Sequence, residues 1–170
     1  MPKPQAHFAS ILARDLRAAR REIEAYASDD DLWRIPAGVA NSAGTLALHL
    51  AGNVRYFIGA VLGGSGYVRD RDAEFGRRGV ARAELLGEFD LAIGDVERVL
   101  PGLGDEVLGR PFPARLGKMT VNTGEFLVHL VAHFGYHLGQ IDYHRRLVSG
   151  QNVTIHAQSV SELRSAQPAA

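Results

Sequence analysis

The sequence predicts an all-α fold: a four-helix bundle with long connections between helices two and three and between helices three and four. Apolar residues recur with helical spacing in four long segments, whereas the alternation typical of half-buried strands is scarce. The chain has 170 residues, enough for one domain to bury a substantial core without covalent staples. No internal repeat or second-domain boundary interrupts the pattern. A single bundle over residues 1–150 is therefore expected, followed by a tail, 151–170, with a short helix around 159–164.

The first helix is predicted over residues 6–27, where Phe8, Ile11, Leu12, Leu16, Ala19, Ile23 and Tyr26 follow i, i+3, i+4 spacing. Arg14, Asp15, Arg17, Arg20, Arg21 and Glu24 make its charged outer face. Asp29-Asp30-Asp31 and Trp33-Arg-Ile-Pro36 read as a turn-rich connection. Asn41 or Ser42 caps a second helix that runs to about Leu62 and stops at Gly63-Gly64. Residues 63–80 form a long connection. A third helix spans about 81–100, with Leu85, Leu86, Phe89, Ile93, Val96, Val99 and Leu100 on its apolar face and Pro101-Gly102 closing it. Residues 103–120, with Pro111 and Pro113, form the second long connection and have room for short extended pieces. The fourth helix starts near Asn122 or Thr123 and ends by Gly150.

Composition narrows the function classes. Lys plus Arg and Asp plus Glu each number 19, so the zero net charge offers no footprint for DNA, RNA or an anionic membrane. With no cysteine, disulfides, thiolate clusters and cysteine nucleophiles are excluded, and a metal site must use nitrogen and oxygen ligands. The start, Met1-Pro-Lys-Pro-Gln-Ala-His-Phe8, has no signal-length apolar run. His, Arg and Gly interrupt the longer apolar stretches before the roughly 20 residues of a membrane span. A soluble cytoplasmic protein is expected.

The chemically loaded feature is a stripe of histidines. His129, His133 and His137 recur every fourth residue of the predicted fourth helix, each step advancing about 40° around the axis and 6 Å along it. Leu130 and Phe126 lie on the same side, so the stripe should face the bundle interior. A buried imidazole without partners is costly, about 1–3 kcal/mol per unsatisfied nitrogen. A metal would satisfy several at once, because neutral imidazole suits Zn, Ni, Cu or Fe and an i, i+4 pair is a helical zinc-binding spacing. His49, in the apolar run Leu46-Ala-Leu-His-Leu-Ala-Gly-Asn53, supplies a candidate on a second helix. The alternative is a set of core histidines bonded to side chains or water. Spacing alone does not choose between the pairs His129–His133 and His133–His137. His144 lies two turns beyond His137, too far to share a site with His133, and reads as structural; His7 and His156 read as surface residues.

The pattern His49-Leu-Ala-Gly-Asn53, together with His133-Phe-Gly-Tyr-His137-Leu-Gly-Gln-Ile141, resembles the DinB-like (YfiT-like) family of bacterial metal-binding four-helix bundles. The similarity covers nearly the whole chain, including helix order and the long connection after helix two. The runs Asn41-Ser-Ala-Gly-Thr-Leu-Ala-Leu-His49 and Tyr67-Val-Arg-Asp-Arg-Asp-Ala-Glu-Phe75 point to one branch of it. The resemblance implies that His49, His133 and His137 are the ligands of one divalent ion, Zn or Ni, with His129 beside them. Three histidines leave a coordination position open, as in catalytic rather than structural sites. It also implies a homodimer and a small-molecule substrate, among them low-molecular-weight bacterial thiols.

Asn53, one turn after His49, and Tyr56, one step further, are placed to support a ligand or line a pocket, or else to bond within the bundle. Gln140 faces the histidine stripe and is a second supporting candidate, while Gly139 suits close helix approach. The charged run from Arg69 to Phe75 reads as a solvated connection that pairs with itself, or as a pocket wall for an anionic substrate. Glu74 and Glu125 are the carboxylates that could reach the cavity. Two function classes follow: a metal-dependent enzyme of transferase or hydrolase type, or a non-catalytic metal-binding or stress-response module.

Overall fold

The computed structural model describes residues 3–155 and 157–169, which leaves His156 outside the described residues. Among these, the fold is all-helical, with two isolated β-bridges and no strand. The helices are α1 Pro4–Glu24, α2 Asp29–Trp33, α3 Ala43–Val54, α4 Arg71–Gly76, α5 Arg82–Val99 and α6 Thr123–Ser149. Without a break, α3 continues as a π-helical stretch, Arg55–Leu62, so the long second element ends at Gly63 as its sequence indicates.

Local chemistry explains the boundaries. Ser42 Oγ accepts the Thr45 N–H and starts α3. Gly150, at φ 68°, takes the left-handed conformation that ends α6. The segment 29–33, read from sequence as a turn, is a short helix. Ser28 Oγ accepts the Asp31 N–H, and three aspartates sit at the positive end of the helix dipole. Between α5 and α6 the expected extended pieces are the bridges Pro111↔Asn122 and Leu116↔Met119.

α3 is the hub. It packs against all five other helices, and each of its twelve residues is buried. This explains its nearly unbroken apolar run. Leu12, Leu16 and Ile23 of α1, Phe89 and Val96 of α5, and Leu127 and Phe134 of α6 complete the core. Burying each such side chain contributes about 1.5–3 kcal/mol. Ala43–Leu62 is long and apolar enough to cross a membrane, but 67% of its apolar window is buried inside the fold. His49 and Arg55, expected to interrupt this run, lie within the continuous helix, because His49 and the Arg55 head group find partners.

Polar clamps lock α6 in place at the end away from the histidine stripe. Arg145 and Glu22 form an ion pair with both side chains almost fully buried. Nearby, His144 Nδ1 accepts the Tyr26 hydroxyl at 2.7 Å, while Nε2–H donates to the Arg34 carbonyl at 2.8 Å. Both ring nitrogens of His144 are therefore satisfied, and it is a structural histidine. The tail returns to α1, where Glu162 pairs with Arg21 and the Arg164 N–H donates to Ser10 Oγ. Its helical content is one short 3-10 turn, Val160–Glu162. His7 is exposed.

Candidate metal centre

The packing of α3 against α6 brings three of the predicted histidines together. One nitrogen each from His49, His133 and His137 lies within 4.8 Å of the others. His49 Nε2 is 3.3 Å from His133 Nε2. The imidazoles of His133 and His137 meet edge to face at 4.6 Å, and those of His49 and His137 at 5.3 Å. Two nitrogens bonded to one tetrahedral zinc at about 2.0–2.1 Å would be about 3.4 Å apart. The His49–His133 pair already has that spacing, and the His137 nitrogen lies within 4.8 Å of both.

The remaining ring nitrogens show which atoms are available. Glu74 Oε2 lies 3.0 Å from His49 Nδ1, so Nδ1 carries the proton and Nε2 presents a lone pair toward His133. Gln140 Oε1 accepts from His137 Nδ1 at 2.6 Å, which leaves the Nε2 of that ring free. A carboxylate or amide oxygen behind the imidazole is the usual way a metal-binding histidine is oriented. Glu74 is itself held from both sides. Arg69 donates from Nε to Oε1 at 2.7 Å and from Nη2 to Oε2 at 2.8 Å. Gly52 provides the floor, because a Cβ there would sit 2.3 Å from Glu74 Oε1.

Electrostatics favours neutral His133 and His137. Burial, reinforced by the neighbouring His137 and His49, lowers His133 to about 4. Burial also lowers His137, against the raising effect of Gln140. Burial pushes the Glu74 carboxyl up, but hydrogen bonds from Arg69 and His49 outweigh it and hold the group below its ordinary value. Neutral imidazole is the ligating form, so His133 and His137 need little deprotonation to accept a metal near neutral pH. An all-nitrogen donor set suits a borderline divalent ion such as Zn, Ni, Cu or Fe. The residues present fit the group.

A cavity of about 480 Å³ opens on the His49 side of the cluster. Asn53, Phe57, Arg69, Arg71, Glu125 and His129 are among its lining residues. Asn53 is buried one turn along α3 from His49. His129 is exposed and stacks between Phe126 and His133 at 5.8 Å from each ring, outside the trio. Tyr56 turns away into the π-helical stretch, where its ring packs edge-on to Phe57 at 5.0 Å, and it does not line this cavity. Gln140 stands on the opposite side, bonded to His137 and lining a separate cavity of about 430 Å³ with His144. Gly139 has open space where a Cβ would be, so the close approach at this site belongs to Gly52 instead.

The charged run divides its duties. Asp70 caps α4 by accepting the Ala73 N–H, which sets Glu74 one turn later against α3. Arg69 pairs with Glu74 as a self-paired run would, yet both are largely buried, at 11% and 6% side-chain exposure. Of the two carboxylates that could reach the cavity, Glu125 lines it, whereas Glu74 sits behind His49. The available signal was Gly52 next to Asn53 on an otherwise apolar helix, where a missing side chain makes room for a charged group.

A family model described as the DinB superfamily matches residues 14–141, a span that includes all three clustered histidines. No curated protein matches the chain. Matched over most of its length, and with its three-histidine cluster supplied by two packed helices, the chain belongs to the DinB superfamily.

Proposed function

We propose that this chain is a divalent-metal-dependent enzyme built on the four-helix bundle of DinB/YfiT type, with His49, His133 and His137 holding one Zn or Ni ion. The observation that carries the reading is the junction of the histidine cluster with a cavity large enough for a small molecule. The ion would supply Lewis acidity at the cavity edge, in a site whose three protein ligands leave a position open. The protein's own part is orientation. Glu74 and Gln140 fix two of the rings, and Phe57 and Phe126 give the cavity an apolar wall. Asn53, His129 and Glu125 face the cavity from two helices and are the groups available to bind or exchange a proton with substrate. The reaction class is transfer to or from a low-molecular-weight thiol, or hydrolysis.

A cytoplasmic homodimer completes the proposal. Val128, Tyr136, Tyr143 and Leu147 are all more than half exposed, and their spacing puts them on one stripe of α6 within about 100°. A second copy covering that stripe would bury it, and light scattering should give twice the chain mass. The chemistry is tested by screening metal-loaded wild type and His133→Ala for conjugation of electrophiles to bacillithiol or mycothiol. Turnover present in wild type and lost in the variant supports the enzyme. Stoichiometric metal without turnover on any thiol would overturn the transferase version and favour a binding module.

A further inference from the structure

Arg69 and Arg71 both line the cavity beside His49, but their charges are spent differently. Arg69 is committed to Glu74 through two hydrogen bonds. Arg71 has no ion pair among the described residues, and its guanidinium lies 5.0 Å over the Phe75 ring. That ring is in turn 4.9 Å from the His49 ring, so the free cation is tied through one aromatic group to the histidine cluster. The wall opposite is apolar, formed by Leu116, Val121, Phe126 and Leu130. Glu125, from α6, is the carboxylate of the lining, and it too is without an ion pair among the described residues.

We propose that this cavity selects an organic monoanion, its charge paired with Arg71 and its apolar body laid along the wall from Leu116 to Leu130. The proposal rests on the reading of this cavity as the substrate site. A lone guanidinium beside apolar surface is the arrangement that recognises an anionic group on a hydrophobic body. Phe75 under the guanidinium restricts its position without neutralising it. Glu125 adds selectivity, because a second anionic group on the ligand would meet a like charge.

Two fluorescent probes of nearly the same shape test this. 1-Anilinonaphthalene-8-sulfonate carries one sulfonate, and N-phenyl-1-naphthylamine is its neutral counterpart. Both are titrated into zinc-loaded and chelator-stripped full-length protein, with the metal content of every sample measured separately. Arg71→Gln should weaken the sulfonate probe at least fivefold and leave the neutral probe within twofold, which also shows that the variant is folded. Glu125→Gln should tighten the sulfonate probe, and Val121→Trp, which fills the cavity, should weaken both. Equal affinity of wild type and Arg71→Gln for the sulfonate probe would overturn the proposal, as would unchanged binding of both probes to Val121→Trp. An Arg71 effect that persists in protein unable to hold zinc would support the anion site while counting against the metal reading.

Discussion

Gly52→Ala should loosen the metal site without touching a ligand. The added Cβ would stand 2.3 Å from Glu74 Oε1 and 3.0 Å from its Cδ. Ordinary contact needs about 3.5 Å, so the carboxylate must withdraw by about 1.2 Å (3.5 − 2.3). A carboxylate displaced by that much loses the placement in which its other oxygen, Oε2, stands 3.0 Å from His49 Nδ1. Loss of an orienting partner of this kind typically lowers metal affinity about 10- to 100-fold, or about 1.4–2.8 kcal/mol. The helix itself should gain, since alanine is about 1 kcal/mol better than glycine in a helix interior. The variant therefore separates site from scaffold. Competition against a chromophoric chelator measures zinc affinity, and circular dichroism confirms the helix. Wild-type affinity in Gly52→Ala would refute the role given to Glu74.

Three further outcomes follow from the same contacts. Glu22→Ala leaves the buried Arg145 guanidinium with only Asp142, at 3.3 Å, and the Val153 carbonyl, at 2.9 Å, and should cost about 1.5–3 kcal/mol in urea unfolding, with metal stoichiometry unchanged. Tyr26→Phe removes the hydroxyl that serves His144 and should cost about 1–3 kcal/mol, again without loss of metal. In chelator-stripped protein, stability should fall as pH drops below about 6.5. Burial lowers His144, His137 and His133, the last to about 4, so the unfolded chain takes up protons there that the folded chain refuses. Unfolding midpoints that stay flat from pH 7.5 to 5 would contradict those shifts.

Much of the fold was legible because helical periodicity and end signals act locally. Ser42, Gly63, Pro101 and Gly150 marked boundaries that the structure keeps to within a residue or two. The helix at Asp29–Trp33 was missed because a run of acidic residues resembles a turn until Ser28 is seen to cap it. The π-helical stretch Arg55–Leu62 left no signal, since its apolar pattern suits either helix type. At the site, the histidine stripe was visible from spacing, but the partners behind it were not. Glu74 and Arg69 reach His49 across the connection after helix two, and their burial depends on packing that periodicity does not encode.

The central claim is that His49, His133 and His137, and not His129, hold the ion. Elemental analysis of purified His49→Ala and His129→Ala, each loaded with zinc and desalted, tests it most directly. The account predicts that His49→Ala retains almost no zinc while His129→Ala keeps close to one per chain. Equal loss in both, or full retention in His49→Ala, would contradict it.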